Sequence, residues 1–328
     1  MARYLITGVA GFIGSSLAHE LLRQGHDVVG VDNLSGGDIH NLDEIIQDID
    51  FRVMDINETN RLRECCRGVD FVLHEAALAS VQRSIEDPVL THTSNVDGTL
   101  SVLMAARDAG VSRVVYAASS SAYGNKTQQP KQEDMLPDPL SPYAAQKLAG
   151  EYYVRSFCQV YGLEGVCLRY FNVFGPRQGS ESPYSGVIAK FISKMLQGEA
   201  PLIFGDGTQS RDFTYIDNVV SANLLACAAP ASEVAGRVFN VGGGESHTLN
   251  QTYKLLASYL CFPDAPLYTA PRVGDIKHSE ADLCRTMQTL KYVPTAGFSE
   301  GLAKTVQWFL AQELLEVTKA VQPDLLIQ

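Results

Sequence analysis

Short apolar runs alternate with longer amphipathic stretches through the first half of the chain. Residues 3–7, 27–31, 51–54, 71–74, 113–118 and 165–170 are dominated by branched and aromatic side chains. Such runs predict strands buried on both faces. Between them, residues 12–24, 94–109 and 142–161 place apolar side chains at helical spacing, which predicts helices with one face against a sheet. Ser141 and Pro142 mark the start of the third: serine caps a helix well, and proline suits its first position. The alternation predicts an α/β fold, a doubly wound parallel sheet covered on both sides. After about Asn172 the rhythm loosens, and Pro176, Pro183, Pro201, Pro230, Pro263, Pro266 and Pro271 punctuate shorter elements. One run there, 237–242, is expected to return to the main sheet or its edge. Beyond about Gln312 the pattern fits a helix or a frayed tail.

The first predicted strand runs into Gly8, Gly11 and Gly14, and a helix follows. Gly8 suits a tight strand-to-helix turn, Gly11 a close approach to a pyrophosphate, and Gly14 close helix packing. The helix N-terminus adds free N–H groups and a positive dipole end. The second strand ends on Asp32, 18 residues past Gly14, where a ribose-binding acid belongs. An acid there repels a 2′-phosphate and favours NAD over NADP, although Asp32 also fits a plain loop cap. The expected layout is a Rossmann-type NAD-binding domain over 1–172, with a returning segment near 214–244. A smaller, interwoven α/β substrate-binding lobe is expected over 173–213 and 245–328.

Composition narrows the partners. A net charge of −11 argues against nucleic acid or an anionic membrane surface. No apolar run reaches the length of a membrane span. The apolar N-terminus mimics a signal peptide, but the glycine motif lies inside it, and cleavage there would destroy the fold. Seven scattered cysteines without metal-type spacing read as reduced thiols of a cytoplasmic protein, with no metal.

The second informative motif spans Ser141 to Lys147. Tyr143 and Lys147 are four apart, on one helical face. A phenol of ordinary pKa is a poor base at neutral pH. A nearby ammonium, with the positive charge of an oxidised nicotinamide, stabilises its phenolate. The strand 113–118 runs into Ser119, Ser120 and Ser121, and a serine at a strand's carboxyl end faces the ligand side of the sheet. Ser119, Tyr143 and Lys147 are the catalytic candidates.

Together these features resemble the extended short-chain dehydrogenase/reductase family, in its sugar-nucleotide epimerase/dehydratase branch. The resemblance covers nearly the whole chain. It includes Asp55-Ile56, His74-Glu75-Ala76-Ala77, Asn95, Tyr170-Phe171-Asn172-Val173-Phe174-Gly175-Pro176, Arg211 to Asp217, and Phe239-Asn240-Val241-Gly242. It implies a UDP-sugar substrate, bound NAD and a homodimer paired through the helices 94–109 and 142–161. For the cofactor it implies Gly8, Gly11, Phe12, Ile13, Gly14, Asp32, Asn33, Asp55, Ile56, Ala76, Ala77, Asn95, Tyr143 and Lys147. Asn172, Arg211, Arg272 and Asp275 match positions that bind the diphosphate and nucleoside. An arginine suits a diphosphate through forked, charge-assisted hydrogen bonds; Arg211 also fits a salt bridge with Asp212 or Asp217.

Dehydratases of the branch carry an Asp-Glu pair just after the catalytic Ser/Thr. Here Ser120 and Ser121 stand there, and 4-epimerisation remains. The chain looks most like bacterial UDP-N-acetylglucosamine 4-epimerases, which supply polysaccharide precursors. By that resemblance Ser80, Ser119, Ser120, Tyr143, Asn172, Gln178, Gly186 and Ser279 line the sugar pocket. A small residue at 279 leaves room for an N-acetyl group, unless Ser279 is a loop hydroxyl without a role. UDP-glucose or a uronic sugar stays open as substrate, and a non-catalytic NAD-binding protein is the rival class.

Overall fold

The computed structural model describes residues 1–179, 186–271 and 276–321. Seven strands form one parallel sheet: β1 (Arg3–Thr7), β2 (Asp27–Asp32), β3 (Asp50–Val53), β4 (Phe71–His74), β5 (Arg113–Ser119), β6 (Glu164–Tyr170) and β7 (Arg237–Val241). Their spatial order is β7-β6-β5-β4-β1-β2-β3. The order reverses between β1 and β4, where Thr7 pairs with Val31 on one side and His74 on the other. Ligands of open α/β sheets bind beyond the strand ends at such a switch point. The run expected to return does so: β7 pairs with β6 at the sheet edge.

Strand alternation divides the core between two faces. Ile6, Leu73 and Val115 join Leu17 and Leu21 of α1 (Phe12–Arg23) on one face. Their neighbours Leu5, Val72 and Val114 join Val102 and Leu103 of α2 (Gly98–Ala109) on the other. Alternate residues of a strand point to opposite faces, so apolar runs bury both. The second face also carries α3 (Pro142–Tyr161), capped by the Ser141 hydroxyl accepting from Ala144 N. A buried pair fixes α3 against β6: Arg169 donates twice to the Glu151 carboxylate, at 2.8 and 2.7 Å. On the first face, Arg113 of β5 donates to the carbonyls of Ala226, Cys227 and Ala229. It thereby satisfies the C-terminal end of α4 (Ile216–Ala228).

The expected helix 94–109 begins differently. Residues Thr93–Asp97 form a π-type turn before α2. Gly98 lets the helix press on Ile56, whose Cδ1 would lie 2.4 Å from an added Cβ. The later part of the chain adds small sheets, Ser246–Thr248 with Ser210–Asp212 and His278–Ser279 being the largest. The C-terminal stretch is a helix, α5 (Phe298–Val321).

Candidate active site

The glycine turn has the geometry its sequence demands. Gly8 adopts φ +74°, and an added Cβ would lie 2.8 Å from Ala76 Cα. At Gly14 a Cβ would lie 2.1 Å from the Gly8 carbonyl oxygen. Only the missing side chain lets α1 start this close to β1. The turn opens into a cavity of about 410 Å3 lined by Gly8, Gly11, Phe12, Ile13 and Gly14. Asp32, Asn33, Asp55, Ile56, Ala76 and Ala77 line it too. Asp32 is buried at the end of β2 and accepts from Ala10 N at 2.9 Å and Leu34 N at 2.8 Å. Burial raises its carboxyl above the usual range against those bonds. Asn33 donates to Asp55 at 2.7 Å, joining two expected cofactor residues at the rim.

Asn95 stands behind this cavity, not in its lining. It is buried, its oxygen accepts from Leu78 N at 2.8 Å, and its nitrogen donates to Leu78 O and Gln146 Oε1. The π-type turn carries this amide into the protein, where it clamps the segment after β4 to α3.

Tyr143 lies in the first turn of α3, where its backbone N donates to Ser84 Oγ at 3.0 Å. Ser119, at the carboxyl end of β5, lies beside its phenol. Ser119 also accepts from the Ser121 hydroxyl at 2.9 Å. One turn on, the buried Lys147 ammonium donates to Ala117 O at 2.9 Å and lies 5.1 Å from the Tyr116 ring. Serine, tyrosine and lysine thus converge as expected. Burial raises the Tyr143 pKa, and Ser119 pulls it back. The ammonium is turned to a backbone carbonyl, and burial pushes its own pKa down to about 8.

Glu75, directly after β4, was not among the expected site residues. Burial pushes its carboxyl up to about 7, with Tyr170 and Lys147 pulling it down. Tyr170 donates to Oε1 at 2.9 Å and accepts from Asn223 at 2.8 Å. Oε2 is buried without a partner among the described residues, and Glu75 lines the cavity. An acid at the ligand end of a central strand was the available signal. His74, by contrast, is held neutral: burial lowers its pKa to about 3, and its ring nitrogens bond Thr7 and Thr99.

On the sugar side, Ser80, Gln178 and Gly186 line the same cavity. The Ser80 hydroxyl is already engaged, accepting from Arg83 N at 3.0 Å. Gln178 donates to Val173 O at 3.0 Å, and its oxygen has no partner among the described residues. Ser119, Ser120, Tyr143, Asn172, Arg211 and Ser279 are not in the lining. Asn172 sits at φ +29° and donates to Asp212 O. Arg211 pairs in register with the buried Ser279, and its guanidinium donates to Ser210 O and Lys277 O. Arg272 and Asp275 lie outside the described residues. A second cavity, of about 780 Å3, is lined by Phe204, Gln209, Tyr268, Pro271 and Lys277. Sequence reading did not single it out, because its walls come from two short strands paired across the chain.

The family model described as the NAD dependent epimerase/dehydratase family matches residues 4–242. The chain belongs to this family. A UDP-glucose 4-epimerase of Mycolicibacterium smegmatis is 40% identical over 313 residues, 94% of this chain and 98% of that protein. A UDP-glucuronate 4-epimerase of Thermodesulfobacterium geofontis is 35% identical over 98% of this chain and 100% of its own length. A UDP-N-acetylglucosamine 4-epimerase of Methanobrevibacter ruminantium, solved with UDP-N-acetylmuramic acid, superposes with a TM-score of 0.90. It is 38% identical and covers 95% of this chain and 99% of its own.

For a NAD-dependent family member, the cavity fits the cofactor. The glycine cradle leaves no room for side chains, the Asp32 carboxyl lines the cavity at the end of β2, and Glu75 presents an oxygen without a partner among the described residues. Among the described residues no cluster of metal ligands is found, and no helix is long and apolar enough to cross a membrane.

Proposed function

We propose that the protein is a UDP-hexose 4-epimerase acting on UDP-N-acetylglucosamine to give UDP-N-acetylgalactosamine through a 4-keto sugar. The observation that carries this reading is the approach of Ser119, at the ligand end of β5, to the Tyr143 phenol, with serines rather than acids at 120 and 121. Tyr143 takes the proton of the sugar 4-hydroxyl and returns it after the sugar has turned. Ser119 bridges the same hydroxyl and keeps the phenol aimed. Lys147, fixed on Ala117 O, brings positive charge to the phenolate side. Bound NAD supplies the hydride acceptor and a further positive charge. Rotation about the diphosphate presents the other face of carbon 4, so the wall beside the sugar must be roomy.

The N-acetyl preference rests on small residues at Gly186 and Ser279. UDP-glucose is the second reading, favoured by the M. smegmatis relative. The layout is read as a dinucleotide domain over 1–172 with 214–244, and a sugar-nucleotide lobe from 173–213 and 245–328. Arg211, Arg272 and Asp275 hold the diphosphate and nucleoside in this reading. A cytoplasmic homodimer completes it. Exposed Tyr152, Val160 and Tyr161 on α3, with Ile85 and Val89 on helices packed against α3, offer an apolar pairing face. Light scattering that gives a monomer at micromolar concentration rejects the dimer.

The deciding experiment incubates the purified protein, without added cofactor, with UDP-N-acetylglucosamine and separately with UDP-glucose. Proton NMR then follows the galacto products. Faster conversion of the N-acetyl sugar supports the full reading. Conversion of glucose alone keeps the mechanism and discards the sugar. No turnover of either, with NAD added, removes both.

A further inference from the structure

The charged residues lining the first cavity are unbalanced. Among the described residues of the lining, Asp32, Asp55 and Glu75 are the acids and Arg83 is the one cation. A diphosphate entering a cavity with three carboxyl groups meets repulsion that backbone dipoles alone must offset. Arg83 is half-buried. Among the described residues no ion pair, side-chain hydrogen bond or ring contact engages its guanidinium. Arg23 and Arg61, by contrast, are paired, with Glu20 and Glu58.

The position of Arg83 is also held from behind. It lies in the short helix Val81–Glu86, whose cap is the Ser80 hydroxyl. The neighbouring Ser84 Oγ accepts from Tyr143 N at 3.0 Å. The next helix, Pro88–His92, is tied to α3 by Gln146, which donates to Pro88 O and Thr91 Oγ1. The segment carrying Arg83 is thus bolted to the helix carrying the catalytic tyrosine, and it shares a cavity with the glycine turn. A guanidinium offers a planar fork that matches phosphate oxygens.

We propose that Arg83 is a diphosphate ligand, closing over the diphosphate held at the glycine turn and setting how long the cofactor stays bound. Both the dinucleotide and a nucleotide-sugar carry this group. The glycine turn in the same lining favours the dinucleotide.

The test compares Arg83→Gln and Arg83→Lys with the unmodified protein. NAD bound as isolated is quantified after denaturing release, before and after prolonged gel filtration. Calorimetry then measures NAD binding to stripped protein and UDP binding to holoenzyme. The expected result is NAD binding weakened roughly tenfold to a hundredfold in Arg83→Gln, as for loss of a hydrogen bond to a charged group. Arg83→Lys should recover part of it, since an ammonium keeps the charge and loses the fork. UDP binding should be unchanged. Weakened UDP binding with unchanged NAD retention assigns the arginine to the substrate's diphosphate and overturns the cofactor role. Neither change overturns the proposal outright. Circular dichroism and thermal unfolding establish that both variants fold, and Arg83→Lys, which keeps the aliphatic stem, carries the test if Arg83→Gln does not. Because the readout is bound nucleotide, it stands apart from whether the sugar assignment holds.

Discussion

The two ends of the site are built in different ways. At the cofactor end the backbone sets the geometry: Gly8, Gly11, Gly14 and Asp32 sit within one strand–turn–helix–strand unit, and a single added carbon collides with main chain. At the sugar end, side chains from separate segments meet one another. Among the described residues, an added Cβ at Gly186 would meet the Gln178 side chain, with Nε2 nearest at 3.0 Å. The first arrangement tolerates no atom, because peptide groups cannot step aside. The second tolerates adjustment, because an amide at the end of a flexible chain can rotate. On the proposed reading, one end is thereby committed to its ligand, while the other can be retuned among sugars.

The helix α3 serves both ends, so the largest effect is expected there. Tyr143→Phe removes the proton acceptor while leaving the packing of the ring. We expect kcat to fall by about a thousandfold with bound NAD retained. Turnover within tenfold of the unmodified protein would show that another group takes the proton.

The same small substitution at each end sharpens the contrast. Gly14→Ala puts a Cβ 2.1 Å from a main-chain oxygen, so α1 must move. Loss of NAD retention is expected, with a destabilisation of about 1–3 kcal/mol, typical of overpacking. Gly186→Ala needs only a shift of Gln178, so NAD content and stability should stay level. Equal damage at both positions, read from bound NAD and thermal unfolding, would remove the distinction.

What the sequence made legible follows the same division. The seven sheet strands were readable because both-face burial leaves continuous apolar runs, and β7 was readable despite its distance along the chain. The glycine turn was readable because its constraint is local. The surroundings of Asn95 were not legible, since nothing in a single sequence reveals that a π-type turn rotates its amide inward to Leu78 and Gln146. The Tyr143–Lys147 spacing was legible, yet the burial that raises the phenol's pKa was not, because it comes from the fold around α3. Glu75 and the second cavity emerge only when distant strands are brought together.

At the sugar end the sharpest test is Ser279→Tyr. Residue 279 is buried in the strand paired with Arg211, so a larger side chain there must intrude on its surroundings. If it gates the pocket, activity on the N-acetyl sugar should drop by roughly tenfold to two hundredfold, the range of a steric specificity contact. Activity on UDP-glucose should hold. A uniform loss on both sugars would mean the strand was disturbed and the gate idea fails.

The smallest effect tests the joint between the two ends, Lys147. Burial lowers its pKa from 10.5 to about 8, and Glu75 is the neighbour holding it up. Between those values the unfolded chain keeps a proton that the folded chain has released. By linkage, the contribution of this group to stability rises with pH across that window. Its contribution to catalysis goes the other way, because the neutral amine no longer supports a phenolate. We therefore expect kcat to fall about fivefold from pH 8 to 9, following the ammonium fraction, while urea unfolding shows no matching loss from Lys147. In Glu75→Gln the ammonium loses its neighbouring charge, and Tyr170 keeps an acceptor. The alkaline limb of the rate profile should then move to lower pH, with melting little changed. A profile flat through pH 9, or a limb unmoved in Glu75→Gln, would break the link from Glu75 through Lys147 to Tyr143.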